Sequence, residues 1–223
     1  MTPYFQQDGV TLYHGDCREI LPQLGQFDLL LTDPPYGVKR PSQRTADIVG
    51  KIEDIHGNTE VDTAWIESIR LSDGGAAYVF TAWEVLEHFK AALAARWNLR
   101  SCIVWDKCQP GMADVKTCWA PQYELCLFAG VGRHELQGKR RPDVLRVPRI
   151  PQQDRNGHPY EKPVDLLRVI LTTSDAKTII DPFAGSGTTL LAARLEGRQA
   201  VGIEISERYC EIAANRLRQK LLF

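Results

Sequence analysis

Apolar and polar positions alternate in blocks along the chain. The run Phe27–Thr32 (FDLLLT), bounded by Gly25 and Pro34, predicts a strand buried on both faces. Shorter apolar runs predict strands at Val10–Tyr13, Ala76–Thr81, Leu99–Trp105, Tyr123–Phe128, Lys177–Ile180 and Gln199–Ile205. Between them, helical spacing predicts helices at Cys17–Leu24 (with Asp16 as N-cap), Trp65–Leu71, Val85–Trp97, Val164–Leu171, Thr188–Glu196 and Glu207–Lys220. Strands alternating with helices argue for βαβ units, hence an α/β fold with a mostly parallel sheet and helices on both faces. Two stretches lack periodicity. Residues 37–60 are polar and glycine-bearing, and residues 130–160 gain positive charge. A long polar loop in a compact domain is usually functional or disordered.

Composition narrows the class. With 43% hydrophobic and 25% charged residues among 223, the chain can bury a core, which excludes disorder, collagen and coiled coil. No apolar run approaches the ~18–20 residues of a spanning helix, and the N-terminus lacks a secretory pattern. The six cysteines form no CxxC pair and read as reduced thiols, so a cytoplasmic location is expected, without zinc ribbon or disulfide scaffold. The five histidines are scattered without metal-ligand spacing, and no metal is expected. Net charge is −1, so attraction to nucleic acid must come from a local patch. Residues 133–155 supply one: seven basic residues, including Lys139, Arg140, Arg141, Arg146 and Arg149, stand against three acidic ones. An isolated charge run is usually a solvated loop. Phosphate contact is the functional alternative, to which Lys39, Arg40 and Arg44 would add.

Two motifs carry chemistry. In residues 179–189 (IIDPFAGSGTT) a strand ends at Asp181, a turn follows through Phe183, Gly185 and Gly187, and a helix opens at Thr188. About 20 residues past the turn, the next strand ends in Glu204, where nucleotide-binding α/β folds place an acid on ribose hydroxyls. No GK[ST] follows, and Pro182 with Phe183 breaks the dinucleotide fingerprint. The turn therefore favours a ribose-bearing cofactor without a pyrophosphate. The second motif, Asp33-Pro34-Pro35-Tyr36, leaves the apolar strand. Two prolines fix the backbone and remove two N–H donors. Asp33 adds an acceptor and Tyr36 an aromatic face, which suits a planar molecule bearing an exocyclic amine. Alone, this tetrad is as readily a stiff strand exit.

Together the motifs resemble the S-adenosylmethionine-dependent amino-methyltransferases of DNA. The order, catalytic motif before cofactor motif, resembles their β group, a circular permutation of the class I methyltransferase fold. His14-Gly15-Asp16-Cys17 resembles the strand end that contacts cofactor adenine. Trp105-Asp106-Lys107 and Tyr123-Glu124 resemble later motifs of the catalytic half, and His158 through Lys162-Pro163 resembles the segment before the cofactor loop. The resemblance implies one methyltransferase domain over 1–223. Its catalytic half is 1–129, its short basic target-recognition segment 130–157 and its cofactor half 158–223.

It implies S-adenosylmethionine on Asp16, Asp181, Phe183, Gly185, Gly187 and Glu204, with Lys162 and Thr188 toward the methionine carboxylate. It implies catalysis by Asp33, Pro34, Pro35 and Tyr36 on a base flipped out of double-stranded DNA. Asp at position 33 usually accompanies adenine N6. Cytosine N4 stays open, with RNA or a silent DNA-binding scaffold further behind. With so short a segment for reading the target, recognition is expected to be short, relaxed or absent. A homodimer and a cognate restriction enzyme are compatible partners.

Overall fold

A computed structural model describes residues 1–36, 61–111, 116–155 and 161–219. Residues 37–60, with Lys39, Arg40 and Arg44, and residues 156–160, with His158, lie outside them.

The described residues form a nine-stranded sheet. Its strands are β1 Phe5–Gln7, β2 Val10–His14, β3 Phe27–Thr32, β4 Leu71–Thr81, β5 Asn98–Asp106, β6 Tyr123–Gly130, β7 Val144–Arg146, β8 Thr178–Asp181 and β9 Gln199–Glu204, in the spatial order β1-β2-β9-β8-β3-β4-β6-β5-β7. The strands from β2 through β9, β8 and β3 to β4 pair in parallel, as do β5 and β7. β1 on β2, and β6 between β4 and β5, are antiparallel. The last two strands of the sequence thus sit mid-sheet, with β8 beside β3.

Helices cover both faces. On one side α3 (Val164–Leu171), α4 (Thr188–Leu195) and α5 (Glu207–Arg218) pack with Leu29, Leu31, Tyr78 and Ile179. On the other, α1 (Cys17–Ile20), α2 (Leu86–Arg96) and a 3₁₀ turn (Ala64–Ser68) pack with Leu30, Val79, Ile180 and Ile203. Leu29, Leu30 and Leu31 are fully buried and alternate between the two layers, which explains the unbroken apolar run. Each such leucine contributes on the order of 2 kcal/mol by burial. Among the described residues no helix is long and apolar enough to cross a membrane.

Several elements differ from expectation for identifiable reasons. The helix expected over Cys17–Leu24 begins as expected, with Asp16 accepting from the Arg18 N–H, but tightens to 3₁₀ at Leu21–Gln23. Pro22 lacks the N–H that α-helical pairing requires. The helix expected over Trp65–Leu71 is a 3₁₀ turn, and Leu71 opens β4. The Arg96 guanidinium takes the carbonyls of Glu67 and Ile69, diverting them from helical bonds. β1 and β7 add to the expected strands. β1 turns into β2 through Asp8 and Gly9, both at positive φ, the two-residue hairpin geometry that Asp-Gly favours.

Candidate active site

β3 and β8 are adjacent and parallel, and both motifs emerge at their C-terminal ends. The chain leaves β8 toward α4 on one face, and leaves β3 toward Tyr36, which packs with the other face. Connections departing to opposite faces open a crevice at the strand ends, where α/β sheets bind ligands. The two exits are tied by a hydrogen bond, Thr32 Oγ1 donating to Asp181 Oδ1 at 2.7 Å.

On the cofactor side, Gly185 (φ 51°) and Gly187 (φ 79°) are left-handed. A Cβ at Gly187 would lie 2.8 Å from the Ala213 Cβ of α5, so glycine there also permits the helices to approach. Glu204 closes the turn: Oε2 accepts from the Gly185 N–H and Oε1 from the Ser206 N–H, both at 2.8 Å. Burial pushes its carboxyl up, against the pull of those N–H groups. Each oxygen keeps a lone pair for a further donor. Asp16 stands at the next strand end, two residues past His14, which is in register with Glu204. It accepts bonds from Arg18, whose side chain holds the carboxyl below the usual range. The half-buried Phe183 sits edge-on to Trp65, with centroids 5.1 Å apart. This set fits S-adenosylmethionine: a glycine turn for backbone approach, acids for ribose and adenine, and an aromatic side.

Three residues expected on the cofactor are engaged elsewhere. Asp181 is buried and accepts from Thr32 and the Phe183 N–H, shaping the turn from within. Burial raises its carboxyl to about 6. Thr188 Oγ1 accepts from Arg216 of α5 at 2.7 Å, inside a buried network with Ser186 and Glu161. Lys162 is drawn to the other motif.

On that side, Asp33 stands just past β3. Tyr36 donates its hydroxyl to Asp33 Oδ1, and Lys162 donates to Oδ2. Lys162 is 7% exposed and also ion-pairs with Glu124 of β6 at 2.8 Å; Glu124 in turn pairs with Lys107, just past β5, at 2.7 Å. The rings of Phe80 and Trp105 face the Lys162 ammonium at 4.9 and 5.8 Å. Burial lifts Asp33 above its ordinary value, with Lys162 opposing. Burial would also raise Glu124, but Lys162 and Lys107 outweigh it and bring the carboxyl down to about 2. Tyr36 is raised well above the phenol range by burial and by Asp33, so its hydroxyl stays protonated. Glu124, Lys107, Glu161 and Arg216 receive no role from the sequence alone. The first three lie in or beside segments that carry the family resemblance, and Arg216 is an arginine on the buried side of α5.

The basic segment divides. Arg146 reaches Asp106 at the C-terminal end of β5, and the Arg149 N–H meets the Lys107 carbonyl beyond it, on the same rim as Asp33. Lys139, Arg140 and Arg141 instead border a groove beside Tyr78, Ser101, Phe128 and Thr173, away from that rim.

The family pattern described as DNA methylase matches residues 132–215. The chain is 31% identical over 209 residues to a putative methylase, YubD, of Escherichia coli (strain K12), covering 91% of this chain and 88% of that protein. It is 29% identical over 257 residues to the Type II methyltransferase M.ScaI of Streptomyces caespitosus, covering 96% and 83%. Among solved structures, M1.HpyAVI bound to S-adenosylmethionine superposes with a TM-score of 0.71 at 22% identity, covering 93% of this chain and 99% of that one. The PvuII DNA methyltransferase (cytosine-N4-specific) superposes at 0.76 with 16% identity, covering 99% and 90%. The fold is that of the class I methyltransferases, and the chain belongs to the N6/N4 DNA methylase family as a DNA amino-methyltransferase that uses S-adenosylmethionine.

Proposed function

We propose that the protein methylates the exocyclic N6 amine of adenine in DNA, with Asp33, Pro34, Pro35 and Tyr36 as the catalytic set. The observation that carries this is the carboxylate of Asp33, held at the end of β3 beside the cofactor turn of β8. Gly185, Gly187, Phe183, Asp16 and Glu204 form the cofactor side. The late position of β8 and β9 in the sequence and their central place in the sheet support the permuted arrangement.

S-adenosylmethionine supplies an electrophilic methyl group on sulfonium. An amine conjugated to a base ring is a poor nucleophile because its lone pair is delocalised. Hydrogen bonds from its N–H groups to Asp33 and to the Pro34 carbonyl favour a more pyramidal nitrogen and stabilise the positive charge that develops there. The nitrogen lone pair forms the new N–C bond as the C–S bond breaks, its electrons leaving with sulfur. A proton is then released from nitrogen. Alignment across the β3–β8 crevice supplies much of the remaining acceleration. A paired base is out of reach, so the target is flipped from the duplex toward Tyr36.

Asp at position 33 favours adenine, and a protein named DNA adenine methyltransferase YhdJ, of Escherichia coli (strain K12), is 25% identical over 96% of this chain. The alternative, cytosine N4, uses the same roles. Nucleoside mass spectrometry on DNA from a methylation-free host expressing the protein, or its Asp33→Ala form, tests the reading. N6-methyladenine with the first and not the second is expected. N4-methylcytosine would overturn the base assignment. Methylation surviving Asp33→Ala would overturn the catalytic one.

A further inference from the structure

We infer that Lys162 is a positioning residue for methyl transfer: seated between Asp33 and Glu124, its ammonium keeps Asp33 a carboxylate, the form that accepts the target amine. The inference rests on the assignment of Asp33 as that acceptor.

The side chains come from four separate places in the sequence: the β3 exit, the end of β5, β6 and the approach to α3. Their charges alternate from Lys107 through Glu124 and Lys162 to Asp33 and sum to zero. The titratable groups facing Asp33 are Tyr36, Glu124, Cys126, Lys162 and Asp181. Lys162 is the cation among them. Glu124 has a second cation in Lys107, whereas Asp33 otherwise has the neutral Tyr36 hydroxyl.

Loss of the Lys162 charge would therefore fall on Asp33. A buried carboxylate left beside a second carboxylate takes up a proton at neutral pH. Protonated, Asp33 presents an O–H donor where the amine needs an acceptor.

The experiment measures single-turnover methyl transfer to DNA from a methylation-free host against pH, for the wild type, Lys162→Met, Lys162→Arg and Glu124→Gln. Saturation with S-adenosylmethionine and a cooperative melt are checked for each. Transfer requires ionised Asp33, so the rate rises with pH through its titration. Lys162→Met should move that acidic limb up past neutral pH, cutting the neutral-pH rate about tenfold with recovery at high pH. Lys162→Arg should restore most of the rate. Glu124→Gln removes a negative charge beside Asp33 and should move the limb down, so the inference stays falsifiable if the Met variant does not fold. A uniform loss with an unshifted limb would overturn it. So would a raised half-saturating concentration of S-adenosylmethionine with the saturated single-turnover rate and the limb unchanged, which returns Lys162 to the cofactor. A wild type that methylates no DNA would instead sink the underlying assignment of Asp33.

Discussion

Glu161 and Lys162 are consecutive, yet their charges are held by different networks. Lys162 is bound by Asp33 and Glu124, whereas Glu161 accepts from Arg216 of α5. Arg216 also donates to Ser186 and Thr188 in the cofactor turn. One dipeptide therefore joins the two halves of the candidate active site. Removing Arg216 leaves a buried acid without that cation, which typically costs about 3–5 kcal/mol. Arg216→Met should lower stability by that order in denaturant titrations and weaken S-adenosylmethionine binding in calorimetry. The double change Arg216→Met with Glu161→Met should recover much of the stability, because a well-packed apolar pair often matches a buried ion pair. If the single variant unfolds like the wild type, the network is not structural.

Asp181 gives stability a defined pH dependence. Burial raises its carboxyl from 3.8 to about 6 in the folded protein. Between those values the folded state binds more protons than the unfolded state, so this group's contribution is fully present below about pH 4 and falls as pH rises through 6. Asp181→Asn removes that loss while keeping an oxygen for Thr32 and the Phe183 N–H. Without cofactor, the variant should be more stable than the wild type at neutral pH by about 1–2 kcal/mol, with the gap closing toward pH 4. Chemical unfolding at both pH values checks this. A gap independent of pH would show that the carboxyl is not the titrating group.

Gly187 serves both turn geometry and helix packing. Its φ is +79°, and an added Cβ would meet Ala213 at 2.8 Å. Gly187→Ala should destabilise by about 1–3 kcal/mol and weaken S-adenosylmethionine binding, because α4 must shift away from α5. Adding Ala213→Gly should relieve the clash and return part of the loss, leaving the φ strain. Equal losses in the single and double variants would mean that contact with α5 is not limiting.

Elements governed by local pattern are legible in the sequence. The strand Phe27–Thr32 and helix Val164–Leu171 appear with their expected bounds, because apolar spacing and flanking Gly or Pro define both. The β1–β2 hairpin escapes the pattern because Phe5–Gln7 buries only Phe5 and shows no alternation, although Asp8-Gly9 is a turn signal in plain view. In the site, Asp33 and the glycine turn announce themselves through motif geometry. The Lys162–Glu124 contact does not, since β6 and the approach to α3 meet only after the sheet assembles. Thr188 and Asp181 are drawn to the cofactor by their place in a motif. Their hydrogen bonds run inward, and a string of residues carries no information about which way a short side chain turns.

The divided basic segment makes the last prediction, about DNA. Trp105 Nε1 donates to the Val147 carbonyl at 2.7 Å, fixing the chain after β7 against the end of β5. Arg146 and Arg149 are thereby held on the rim that carries Asp33 and the exposed Trp119, while Lys139, Arg140 and Arg141 border the groove beside Thr173. A duplex presenting a flipped base to Asp33 must lie along the rim, so phosphate contact should fall to the first pair and not to the second group. Arg146→Ala with Arg149→Ala should weaken DNA binding across sequences and reduce the slope of log affinity against log salt by about one for each phosphate no longer neutralised. The triple change at Lys139, Arg140 and Arg141 should leave that slope unchanged, because the screened attraction of three distant charges falls off within about 10 Å at moderate salt. Fluorescence anisotropy with a labelled duplex across a salt series measures both. A slope that falls only in the triple variant would place the DNA along the groove and would force a different approach of the target base to Asp33.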